Sequence, residues 1–316
     1  ALAALRMLVA RVARAWWLRG RGGTPQAVVV TAAGLALATT LVLGGGLAAA
    51  RHDPRFQGEF APLRSLLAQL KPQLREGDVI VLDDRRYRGF FMNFYKERAP
   101  MVLPLPYSPG KRTSPEAAPA VVSNDPDALI HPSNALILAD LAQRHHRLWL
   151  VTDSNLFVTW ANRPVEQYLA RHAFPVREAT GGDVARAVLF DLTHAPPPSA
   201  ALWPQERVGA RFGAGMTLVG ADLPAGRTVA RGGSVPVSLL WEAAEPIAQD
   251  YTVALLLIAA DGSVAAQRDS YPVNAFEPTS TWRTGSLHRD NHAIAIAPDA
   301  PPGTYALWVV VYDWRA

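Results

Sequence analysis

Two adjacent carboxylates, Asp83-Asp84, follow directly on the apolar run Val79-Ile80-Val81-Leu82, and Arg85, Arg86 and Arg88 come next. Acids at the carboxyl end of a buried strand stand where open α/β sheets bind ligands or metals. The arginines suit lipid phosphate if that edge meets a bilayer surface. Neighbouring residues of an extended strand point to opposite faces, so the two carboxylates need not converge. A solvated loop capping the next helix is the simpler account. Asp83, Asp84, Arg85 and Arg86 are the substrate-binding candidates of this region.

Further along, Trp203, Trp241, Trp282, Trp308 and Trp314 invite a sugar-binding reading, because sugars stack their apolar faces on exposed rings. Trp241 and Trp308 fall within apolar strands and read as core. Trp282, in a loop with Thr279 and Arg283, is the better candidate. His145-His146 sits at an expected helix end, where the dipole favours imidazole, and side chains adjacent on a helix diverge too far to share a metal. Ser108 and Ser154 lack a Gly-x-Ser-x-Gly context for a hydrolase, and neither a Gly-x-Gly-x-x-Gly nor a phosphate-loop sequence occurs. Asp250, Asp261, Asp269 and Asp290 lack the spacing of a calcium loop. No catalytic residue, metal ligand or cofactor is indicated by the residues themselves.

The elements that must carry these residues divide the 316-residue chain. Ala27 to Ala50 contains no charged side chain and is long enough to span a bilayer as a helix. We expect an interfacial helix or the end of a preceding span over 1–24 and a transmembrane helix over 25–50. A secretory signal peptide is the alternative for this stretch, although its apolar run exceeds a signal core. Over 51–195, helical spacing of Leu63, Leu66, Leu67 and Leu70 feeds the strand at Val79. Later helices and strands alternate, with strands at 101–105, 147–152 and 184–192, predicting a small, mostly parallel, three-layer α/β domain. A Pro-rich linker, 196–207, follows Pro196-Pro197-Pro198. Strand-like runs over 216–221, 234–241, 251–259, 263–269, 286–296 and 304–311, with Asp261-Gly262 as a hairpin turn, predict an all-β sandwich, Ig-like or jelly-roll, over 208–316.

The formal charge of +4 is accounted for by Arg6, Arg11, Arg14, Arg19 and Arg21, ahead of the apolar run. Arginines beside a span follow the topology of membrane proteins, so a nucleic-acid partner is not supported. The chain has no cysteine, which excludes disulfides and thiolate metal sites. Its first residue is Ala1 and its last residues stop inside a strand-like run, so it reads as the carboxyl-terminal portion of a larger protein. The expected location is the cell membrane, with the soluble domains on the extracytoplasmic side.

The segments LRSLLAQLKPQLREGDVIVLDD, FFMNFYKER, RLWLVTD and VEQYLARHAFPVREA, placed after a last span, resemble the soluble tail of bacterial GT-C membrane glycosyltransferases. These are relatives of the dolichyl-phosphate-mannose protein mannosyltransferases. The later residues Leu240-Trp241, Asp250 to Val253, Asp261-Gly262, Gln267 to Asp269, Pro278-Thr279, Trp282, Asp290, Pro301 to Tyr305 and Tyr312-Asp313 resemble a β-sandwich that ends some of them. The resemblance implies sugar transfer from a polyprenyl-phosphate carrier to a glycan or protein acceptor outside the membrane. It implies a catalytic acid, acting as base or with a divalent metal, in a first external loop that no position here matches. The bilayer, a lipid-linked sugar and an acceptor are the partners it implies. A single-span cell-surface binding or envelope-assembly protein without catalysis is the alternative.

Overall fold

The computed structural model describes residues 61–83, 85–95, 100–106, 130–153, 163–182, 185–197, 203–213 and 215–315. The helices expected over 1–24 and 25–50 lie outside these residues, as does Asp84. Among the described residues no helix is long and apolar enough to cross a membrane. The described residues are mostly β-sheet with some helix, in three sheets.

Strands β1 (Val79–Leu82), β2 (Met101–Pro104), β3 (Arg147–Asp153), β4 (Phe174–Gly181) and β5 (Ala185–Asp191) form a five-stranded sheet in the order β2-β1-β3-β5-β4. β1 runs parallel to β2 and β3, whereas β5 runs antiparallel to β3 and β4. The sheet is therefore mixed rather than mostly parallel. The cause is β4, which follows its helix directly and turns back into β5 as a hairpin.

Helices α1 (Ala61–Leu70), α2 (Arg85–Phe94), α3 (Pro132–Arg144) and α4 (Pro164–His172) cover both faces. Ile80 and Leu82 pack among Leu66, Phe90 and Phe91, while Val79 and Val81 pack among Leu138, Leu141 and Leu169. All four residues of β1 are consequently buried, which explains why this strand reads as a continuous apolar run. Each such side chain contributes about 1.5–3 kcal/mol on leaving water. α1 sits directly on the end of β4: a Cβ on Gly181 would stand 2.2 Å from the Pro62 carbonyl oxygen, so glycine is required there.

The remaining strands are β6 (Glu206–Phe212), β7 (Met216–Asp222), β8 (Ser234–Ala243), β9 (Thr252–Ile258), β10 (Val264–Ser270), β11 (Leu287–Ala295) and β12 (Ala306–Tyr312). They form two antiparallel sheets, β11-β8-β7-β6 and β10-β9-β12. Leu218, Leu239 and Trp241 of the first share one core with Val253, Leu255 and Leu257 of the second, a sandwich-like arrangement. Gly262 takes φ +84° in the β9–β10 turn, as Asp261-Gly262 predicts.

The helix-covered sheet and the sandwich belong to one compact unit, residues 60–316. Ala293 of β11 joins the apolar cluster that holds Leu66 and Val176. A buried polar network completes the junction. Glu166 of α4, fully buried, accepts from Arg186, from Arg163 at 3.1 Å and from the Asn274 amide at 3.0 Å. The Asn274 oxygen in turn accepts from Arg268 at 3.1 Å. Asn291 donates to the Ala170 and Arg171 carbonyls at 3.2 and 3.1 Å, satisfying the last turn of α4 from the sandwich side. Val273, Asn274 and Ala275 all hold positive φ, at 52°, 51° and 72°. A left-handed run of residues with β-carbons is strained. It is held by Asn274 and by Val273 N–H, which donates to Asp290 at 2.8 Å.

Candidate functional site

The chain leaves β1 through α2 to reach β2 on one side, then crosses back through α3 to β3 on the other side. α2 and α3 lie on opposite faces, since Phe90 and Leu138 fall in different core clusters. The carboxyl ends of β1 and β3 thus flank a topological switch point, where open α/β sheets form ligand crevices. Asp83 lies there, buried, with its backbone N–H on the Val151 carbonyl at 3.1 Å. Its Oδ2 accepts from the Thr152 hydroxyl at 3.2 Å across the two strands. A carboxylate and a hydroxyl at such a crevice can recognise the hydroxyl groups of a polar ligand. Arg85 and Arg86 open α2 beside it, and Asp84 lies outside the described residues.

The amino-terminal end of the same sheet is basic. Asp78, buried just before β1, is ion-paired with Arg147 at 3.2 Å and accepts from the Trp149 indole at 3.3 Å and from Arg75 N–H at 3.0 Å. Burial raises its carboxyl above the ordinary range, a shift that Arg147 and these hydrogen bonds reduce without cancelling. Arg147 also donates to the Gln73 carbonyl at 3.0 Å, and Arg177 of β4 donates to the Gln73 side chain at 3.4 Å.

Trp282 is brought to neither end. It is 5% exposed, its ring lies flat on His288 with centroids 4.2 Å apart, and its indole donates to the Glu277 carbonyl at 3.0 Å. It has no face open to a sugar, because the loop that carries it folds against the sandwich core. Trp241 is buried as expected, but Trp308 is 57% exposed. The correction follows from β12, an edge strand whose alternate residues face outward, so that Trp308, Val310 and Tyr312 share one exposed face. Trp314 beyond it is exposed as well, with its indole on the Tyr271 hydroxyl. His145 is neither metal-like nor idle: its Nδ1 lies 2.9 Å from the Gly77 carbonyl. Among the described residues no three His, Asp or Glu side chains gather as a metal site.

Sequence reasoning missed two serine–histidine–carboxylate chains carried by β11. His288 Nε2 lies 2.6 Å from Ser286 Oγ and its Nδ1 2.7 Å from Glu277 Oε2. The single Ser286 hydroxyl proton has both the Arg283 carbonyl, at 2.6 Å, and His288 Nε2 in reach. Burial would raise the Glu277 carboxyl, but the His288 bond and the Arg171 charge outweigh it and hold it below the usual range. The second chain, Ser270, His292 and Asp290, presents Nδ1 to the serine at 3.3 Å, with His292 and Asp290 fully buried. The first reaches α4, because Arg171 pairs with Glu277 at 2.9 Å, and the second links β10 to β11 within the sandwich.

No protein-family model matches the chain, and no curated protein does. A solved structure described as a beta-glucuronidase from glycoside hydrolase family 2 aligns with 29% of this chain and 9% of that one, at 15% identity and a TM-score of 0.21. The chain thus spans under a tenth of that protein's length, a likeness too slight to bear on fold or function.

Proposed function

We propose that the chain is the extracytoplasmic, acceptor-handling region of a polytopic membrane glycosyltransferase that uses a polyprenyl-phosphate-linked sugar. The finer architecture belongs to this reading: a spanning helix over 25–50, a three-layer α/β domain over 51–195 and an Ig-like or jelly-roll sandwich over 208–316. The observation that carries it is the exposed aromatic row of β12, Trp308 and Tyr312 with Trp314 following. Trp308 and Tyr312 are four residues apart on one face of the strand, about 13 Å at ~3.3 Å per residue, so these rings offer separate stacking positions along that face to an extended glycan. The Asp83–Thr152 pair at the topological switch point is the second polar contact of this reading. The catalytic acid and any metal stand outside this region.

The test uses membranes carrying the intact protein and a labelled polyprenyl-phosphate-linked sugar. Transfer should occur, and Trp308→Ala combined with Trp314→Ala should raise the acceptor KM roughly tenfold while leaving donor KM unchanged. Absence of transfer with every lipid-linked donor tried overturns the reading and favours a binding protein without catalysis.

A further inference from the structure

A cleft of about 790 Å³ lies where the amino-terminal end of the five-stranded sheet faces the sandwich, within the range of small-molecule sites. Arg75, Arg147 and Arg177 line one wall, and Val229, Ile296 and Pro298 contribute to the other. We propose that this cleft binds a small phosphorylated ligand, its phosphoryl group held by the three guanidiniums and its uncharged body against the sandwich wall. The proposal does not rest on glycosyl transfer.

The arginines come from three separate segments and meet through Gln73, whose backbone carbonyl holds Arg147 and whose side chain holds Arg177, two residues before Arg75. A guanidinium presents a planar fork of donors that matches phosphate oxygens in pairs. One carboxylate, Asp191, lines the cleft, and Asp78 lies buried behind Arg147. Asp78 is committed to Arg147, Trp149 and the Arg75 backbone, and Asp191 to the Ser234 hydroxyl and to Thr193 N–H at 2.7 Å. No described carboxylate lies within ion-pair distance of the Arg75 or Arg177 side chain, so the cleft keeps an excess of positive charge. Burial, and then repulsion from Arg75, holds Arg177 below its ordinary value, and Arg147 is lowered mainly by burial. An anion seated among them relieves that repulsion. His146 and His194 at the rim add donors. A recess of about 470 Å³ adjoins, shares Arg177 and is lined also by Glu178, Arg268 and Asp269, a mixed-charge surface that leaves room for a polar ligand longer than a phosphate.

Equilibrium dialysis of the detergent-solubilised full chain against labelled inorganic phosphate tests this. Arg75→Gln with Arg177→Gln removes two exposed cations that make no described ion pair and should leave the melting temperature in place. Phosphate affinity should fall roughly ten- to a hundredfold, as expected for lost charge-assisted hydrogen bonds. Arg211→Gln, at a surface pair with Glu245, is the control and should bind within about twofold of the parent. Saturable binding that the double substitution abolishes supports the site. Displacement by glucose 1-phosphate or by dihexanoyl phosphatidic acid then distinguishes a soluble phosphate ester from a lipid headgroup. Absence of binding by the parent, or equal binding by the double variant and the control, overturns it.

Discussion

The two ends of the five-stranded sheet differ in charge and in how they are built. At the carboxyl end, Asp83 and Thr152 come from adjacent strands and satisfy each other locally. At the amino end, Arg75, Arg147 and Arg177 face a second wall supplied by the sandwich. The first site belongs to the α/β sheet, and the second exists only while the sheet and the sandwich stay joined. A sheet end can thus be a property of one domain or of a junction, and the two respond differently to damage at the interface.

Breaking the junction is the most drastic way to separate them. Glu166→Ala leaves Arg163, Arg186 and Asn274 without their shared carboxylate in a buried site. Such a loss costs about 3–5 kcal/mol. Calorimetry should show a large fall in melting temperature, and phosphate binding should disappear while far-ultraviolet circular dichroism of the folded protein stays native. Equal phosphate affinity in the folded variant would show that the cleft does not depend on the junction.

Asp83→Ala is a milder cut at the other end. It strands the Thr152 hydroxyl, at about 1–3 kcal/mol, and should leave phosphate binding unchanged. Urea titration gives the first quantity and dialysis the second. A parallel loss of phosphate affinity would dissolve the distinction between the ends.

The smallest expected effect is a pH dependence at Asp78. Its folded carboxyl is raised by burial, so the folded state holds a proton that the unfolded state has released between the unfolded and folded values. The contribution is fully present below the unfolded value and is lost as pH rises through the folded one. The stability of the parent relative to Asp78→Asn should therefore decline over that acidic interval. A difference that instead grows with pH would mean that Arg147 dominates the carboxyl.

The carboxyl end was legible because Val79 to Leu82 is an uninterrupted apolar run closed by an acid, a local pattern. β4 escaped notice because FPVREATG mixes charges with apolar residues and carries an irregularity between Pro175 and Arg177. Missing it made the sheet look mostly parallel. β6, ERVGARF, is exposed along most of its length and has no buried alternation to read. The basic cleft was invisible for a different reason: its arginines are far apart in the chain, and only the turn at Gln73 brings them together. Trp282 and Trp308 exchanged roles because exposure depends on which strand forms a sheet edge and which loop folds inward, and neither is written in the neighbouring residues.

The left-handed run at Val273 to Ala275 has a consequence for inheritance. Its strain is offset by partners on both sides of the junction, Asp290 within the sandwich and Glu166 outside it. A sandwich transplanted onto another protein would keep the awkward turn and lose half of what holds it. The two halves are therefore poor candidates for independent shuffling between genes, and substitutions at Asn274 and Glu166 should be tied to one another across related chains.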